Sequence, residues 1–121
     1  MNDTQTLHQE AMDLAEQAAL SKRHGDEQDA ERLTQAAFAK EKEAALQVAS
    51  DHALEPTRSV LLRSAASLAL ECRDLLEAER LVSLALSGHP PVEIADELRE
   101  VLHQVYLDLD WHFFRPQLRQ A

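Results

Sequence analysis

Apolar residues recur at steps of three and four along most of the chain, the spacing that lines one face of a helix. In the first segment Leu7, Ala11, Leu14, Ala15 and Ala18 form such a stripe. The first helix is expected to start at a cap among Asp3, Thr4 and Thr6 and to run to His24. Gly25 ends it, and Lys22, Arg23 and His24 fill the last turn, where cations suit the helix dipole. The second helix is expected from Asp26 to about Ser50, with acids crowding its first turn and Ala30, Leu33, Ala37, Phe38, Ala44 and Val48 facing inward. After a break over residues 51 to 55, Pro56 opens the third helix, about 57 to 72, because proline is tolerated in a first turn. That helix is apolar nearly all round and so is expected between others in the core. Asp74 caps a fourth helix ending at Gly88, and His89-Pro90-Pro91 makes a stiff corner. A fifth helix runs from about Pro91 to Asp110, with Ile94, Leu98, Val101, Val105 and Leu109 on one stripe.

The pattern therefore predicts an all-α single domain over residues 1 to 121, a five-helix antiparallel array. Its parts are hairpin one (4–50), hairpin two (56–88), a capping helix (91–110) and an aromatic tail (111–121). Composition agrees. With 121 residues, the chain has two glycines and four prolines, too few for the frequent turns of an all-β domain. Aromatics are sparse at 4%, yet Tyr106, Trp111, Phe113 and Phe114 crowd together near the C-terminus.

Charge narrows the function classes. A formal net charge of −10 opposes nucleic acid and anionic membrane surfaces as partners. No apolar run is long enough for a spanning helix, and the polar N-terminus does not resemble a signal peptide. Cys72 is the only cysteine. A cytoplasmic location is expected from these features together.

The third and fourth helices also carry a repeat pattern. Leu62, Ala65, Ala66 and Ala69 in one helix, then Ala78, Val82, Ala85 and a closing Pro90, match the anchor spacing of a tetratricopeptide repeat. This hairpin resembles such a repeat. Leu14, Ala18, Ala30 and Ala37 stand 48 residues before Leu62, Ala66, Ala78 and Ala85, a fainter first copy. Alanine, serine, threonine or valine replace the family's large aromatics, and Lys42 stands where the first copy's proline belongs. The offset exceeds the family's usual period of about 34, so the second helix is expected to run on by about four turns. The whole chain is similar to small bacterial tetratricopeptide-like proteins of uncharacterised activity. They share phrases like Glu55-Pro56-Thr57-Arg58-Ser59-Val60-Leu61 and Ala78-Glu79-Arg80-Leu81.

Residues able to carry catalysis are incomplete as sets. Glu100 and His103 have the spacing of half a di-iron site, without a second half. Glu93, Asp96, Glu97 and Glu100 place acids on adjacent turns, as in helical magnesium-dependent nucleotide pyrophosphatases. A facing acidic helix is missing, with only Glu77 and Glu79 on offer, and the dipole alone favours acids there. Cys72 is expected to be a buried small hydrophobe.

The resemblance implies a concave face built from the first helix of each hairpin. It would place Lys22 and Arg23 with Arg63, Ser67 and Glu71 along a groove suited to an acidic peptide or a carboxylate. Tyr106, Trp111, Phe113 and Phe114 are expected to plug the end of the stack or to form a patch that a second copy covers, giving a homodimer through the fifth helix. The expected function is a non-enzymatic adaptor that binds a protein or peptide without metal or cofactor. The alternative is a small metal-dependent enzyme using the fifth-helix acids.

Overall fold

The structure, a computed structural model, describes residues 2 to 110. Five helices succeed one another: α1 (Asp3–Arg23), α2 (Glu27–Val48), α3 (Thr57–Glu71), α4 (Leu75–Leu86) and α5 (Val92–Leu109). A single 3₁₀ turn, His52–Leu54, lies between α2 and α3. The array is antiparallel and all-α. Each helix packs on its successor, and α5 also reaches α3.

The start of α1 differs from the expected caps. Asn2 caps it: the Asn2 side chain accepts from the Gln5 backbone N–H at 2.7 Å, and the Gln5 side chain accepts from the Asn2 N–H at 3.2 Å. This reciprocal box satisfies two backbone donors that a helix start leaves open. Asp26 and Asp74 cap α2 and α4 through the amides of Asp29 and Glu77. At α3 the cap comes from one residue further out. Pro56 has no side chain to offer, and the Glu55 carboxylate accepts from the Ser59 N–H at 2.9 Å instead. α2 is 22 residues long and α4 is 12, so α2 is longer by ten residues, close to three turns rather than the four expected. The 3₁₀ turn carries part of the remaining chain.

The core is a run of small and branched side chains. Ala37, Ala45, Leu62, Ala65, Ala66, Ala69, Ala78, Leu81, Val82 and Ala85 are fully buried and form one continuous cluster with Leu98 and Val105 of α5. Alanine at facing positions lets the helix axes approach closely. α3, in contact with α2, α4 and α5, lies between the others as its composition predicted. The α5 stripe expected to meet a second copy packs inside the chain: Leu98 and Val105 are buried, and Ile94, Val101 and Leu109 are partly buried against the same core. The large apolar side chains that α5 shows to solvent are Val92, Tyr106 and Leu107.

Three polar residues are buried among the described residues: Glu41, Arg58 and Ser59. Arg58 lies in the first turn of α3. Its Nε donates to the Ala49 carbonyl at 2.6 Å, Nη2 to Leu84 at 2.8 Å, and Nη1 to Ala85 at 3.4 Å. These are carbonyls at the C-terminal ends of α2 and α4, where the helix dipole is negative. One guanidinium thus joins three helices and both hairpins. Gly88 makes room for it: a Cβ there would lie 2.5 Å from Arg58 Nη1.

Candidate functional site

Two concavities among the described residues bear on the expected groove. The larger, about 890 Å³, lies between hairpin one and the C-terminal end of α3. Alanines line it, the buried Ala18 and Ala30 deepest and Ala15 and the exposed Ala19 beside them, together with Leu68 of α3. Alanine stands there because α1 and α2 approach closely at their shared turn. Charged residues line it as well: Lys22 from α1, Glu27, Glu31 and Arg32 from α2, and Glu71 and Arg73 from the end of α3.

Two of its cations are already engaged. Arg32 donates to Asp29 Oδ1 at 2.6 Å, and Arg73 donates to Asp108 Oδ2 at 2.7 Å. Arg32 and the Ser21 hydroxyl hold the Asp29 carboxyl below its ordinary range. Lys22, Glu27, Glu31 and Glu71 have no ion pair among the described residues. The uncommitted charge in this cleft is therefore one lysine against three carboxylates. Cys72 also lines it, but burial and the nearby Glu71 and Asp74 push its thiol up to about 11. Such a thiol stays protonated at neutral pH and is a poor nucleophile.

The smaller concavity, about 440 Å³, lies between α3 and α5 and is lined by Arg63, Ser67, Leu70, Glu97, Glu100, Val101 and Gln104. Arg63 Nη1 donates to Glu97 Oε2 at 2.6 Å. The residues expected along one groove are thus divided. Lys22 and Glu71 line the first cleft and Arg63 and Ser67 the second. Arg23, the last residue of α1, is exposed and lines neither. Helix α5 packs against α3 and supplies the carboxylate that occupies Arg63. The residues not anticipated are those of α2, chiefly Gln28, Glu31 and Gln35, which form one wall of the first cleft. Their spacing of three, four and seven is a polar stripe in the sequence, whereas a groove of first helices alone excludes α2.

The other candidates fall elsewhere. The Tyr106 hydroxyl hydrogen-bonds Glu79 of α4, and that carboxylate holds the phenol above its ordinary range. Trp111, Phe113 and Phe114 lie outside the described residues. On α5, Glu97 faces Arg63 and Asp96 lies 3.5 Å from Arg99. Among the described residues no three His, Cys, Asp or Glu side chains gather closely enough to hold a metal ion. No helix among them is long and apolar enough to cross a membrane. No known protein family, curated protein or solved structure matches the chain.

Proposed function

We propose that the chain is a non-enzymatic interaction module built from tetratricopeptide-like hairpins, and that the cleft between hairpin one and α3 holds a segment of a protein partner. The observation that carries this reading is the cleft's make-up: an alanine floor that admits bulky side chains, rimmed by carboxylates that no ion pair among the described residues neutralises. Its volume falls in the range of about 300–1,000 Å³ common to binding pockets. The charge balance selects the partner. Three uncommitted carboxylates against one lysine favour a basic segment with apolar residues between its cations, rather than an acidic peptide.

The test is an anisotropy titration with a fluorescein-labelled synthetic peptide of alternating Arg and Leu blocks. Binding is expected to weaken at least tenfold in Glu31→Lys/Glu71→Lys and on raising salt, as screened charge pairs require. Arg63→Glu, in the other concavity, is expected to leave it unchanged. Loss of binding in Arg63→Glu with the Glu31 and Glu71 variant unaffected would move the site to the α3–α5 face and sink this reading.

A further inference from the structure

The first cleft has a candidate ligand in the chain itself. Asp108, in the last turn of α5, is held at 2.7 Å by Arg73. Arg73 is itself a lining residue of the cleft. The polypeptide therefore leaves α5 at the cleft's rim. Beyond α5 the chain continues through residues 111 to 121, Trp111-His112-Phe113-Phe114-Arg115-Pro116-Gln117-Leu118-Arg119-Gln120-Ala121. In a chain of net charge −10, this segment holds no acid and two arginines, Arg115 and Arg119. It also holds three of the five aromatic residues. Fully extended it reaches roughly 36 Å, so distance does not keep it from a cleft beginning where it begins.

We infer that residues 111 to 121 dock in this cleft of their own chain, with aromatic side chains on the alanine floor and Arg115 and Arg119 facing Glu27, Glu31 and Glu71. Each half of the segment answers a feature of the cleft. The bulky rings fill space that small side chains leave, and the arginines meet carboxylates that lack an ion pair among the described residues. This deepens the proposed function, on which it rests. The segment has the chemistry assigned there to the partner, basic with apolar residues interleaved, so it acts as a resident competitor that a partner must displace.

Trp111 is the only tryptophan, so the full-length protein carries its own probe. Docking predicts a blue-shifted Trp111 emission and at least threefold protection from acrylamide quenching, independent of protein concentration. Glu31→Lys/Glu71→Lys and, separately, Ala19→Glu are expected to shift the emission to the red and abolish the protection. Far-ultraviolet dichroism verifies that each variant remains helical. Arg63→Glu is expected to change nothing. Emission typical of water in the wild type overturns the proposal. So does protection that survives both cleft variants, because the segment then packs elsewhere. Protection that grows with concentration alongside a dimer mass in sedimentation also overturns it, in favour of a second copy. The peptide titration keeps the two readings separate. If Trp111 is unprotected while the Arg-Leu peptide still binds through Glu31 and Glu71, only self-docking fails. If Trp111 responds to the cleft variants while the peptide never binds, even when the Trp111, Phe113 and Phe114 rings are changed to alanine, partner capture fails.

Discussion

At Gly25 the chain leaves α1 with a φ of 80°, and at Arg73 it leaves α3 with a φ of 64°. Around both residues the same bonds form. The Asp26 N–H donates to Ser21 and the Gly25 N–H to Lys22; the Asp74 N–H donates to Ala69 and the Arg73 N–H to Leu70. Each is a Schellman ending with an aspartate cap directly after it. The two five-residue stretches share only that aspartate, Lys22-Arg23-His24-Gly25-Asp26 against Leu70-Glu71-Cys72-Arg73-Asp74. At their other ends the hairpins differ. Hairpin one closes side chain to side chain: His8 Nδ1 lies 2.9 Å from both oxygens of the buried Glu41, and Gln47 Nε2 donates to Asp3 at 2.6 Å. Hairpin two closes on backbone, through Arg58 and the carbonyls of Ala49, Leu84 and Ala85. A turn is set by backbone conformation and tolerates varied side chains. A closure made by one buried charge depends on that residue and its surroundings. The closures, not the turns, therefore distinguish the hairpins, and Arg58 is the one that also joins them.

The largest expected effect comes from removing that join. Arg58→Ala leaves the Ala49, Leu84 and Ala85 carbonyls without their donor, removes the positive charge 4.0 Å from the Glu55 carboxylate and opens a cavity. It is expected to cost about 3–5 kcal/mol and to lower Tm by more than about 10 °C. His8→Ala strands the Glu41 carboxylate, which is fully buried, but water reaches the site through the 37% exposed His8 position. Its expected cost is smaller, about 2 kcal/mol. Denaturant midpoints of both variants measure the ranking. A His8→Ala loss equal to or greater than that of Arg58→Ala would break the comparison, because hairpin one would then be closed as firmly as the join between hairpins.

The ranking also marks what the sequence could say. Five helices, their order and the cap at Asp74 were legible because apolar period and capping chemistry are local, whereas Asp26, expected within the first turn of α2, is its cap. Asn2 caps α1 in place of Asp3, Thr4 or Thr6, and Gln5 stands three residues on to complete its box. Glu41 and Arg58 were not legible as core residues, since long charged side chains default to the surface. Only their partners reveal them, and those lie 33 and 26 residues away for His8 and Leu84. The candidate cleft was half legible. Lys22 and Glu71 do line a cleft, yet their grouping with Arg63 depended on a shared first-helix face. With α2 packed between α1 and α3, and α5 laid against α3, the structure provides two separate faces.

The shared turn offers a smaller and sharper test. Nothing lies within 4 Å of a Cβ built on Gly25, so Gly25→Ala meets no clash and its cost is the left-handed backbone alone, about 1 kcal/mol. Arg73→Gly relieves the same conformation in hairpin two. It gives up the Asp108 ion pair and gains unfolded-state freedom, so the net change is expected to stay within about 0.5 kcal/mol. Equal losses in the two variants would mean that the turns, despite their matching bonds, are not governed by the same backbone preference.

The smallest effect distinguishes a second repeated device. Asp29 pairs with Arg32 in the first turn of α2, and Glu77 pairs with Arg80 at the matching place in α4. The third partner differs: the Ser21 hydroxyl at Asp29, and Lys42 of α2, 3.0 Å away, at Glu77. Arg80 first, and then Lys42, pull the Glu77 carboxyl down to about 2, against an opposing push from burial. Its native value lies below its unfolded one, so the pair stabilises the fold fully above about 4.5 and that contribution is lost as the pH falls toward about 2. Glu77→Gln is expected to cost about 1 kcal/mol at pH 7, a figure kept low by the exposed Arg80 side chain. Wild type and variant should converge in urea midpoint as the pH approaches about 2. Asp29→Asn, which cuts no tie between hairpins, is expected to shift the midpoint less across the same range. If the Glu77→Gln difference persists undiminished at low pH, the carboxylate's charge is not what holds α4 to α2, and the join between hairpins rests on Arg58 and the alanine seam alone.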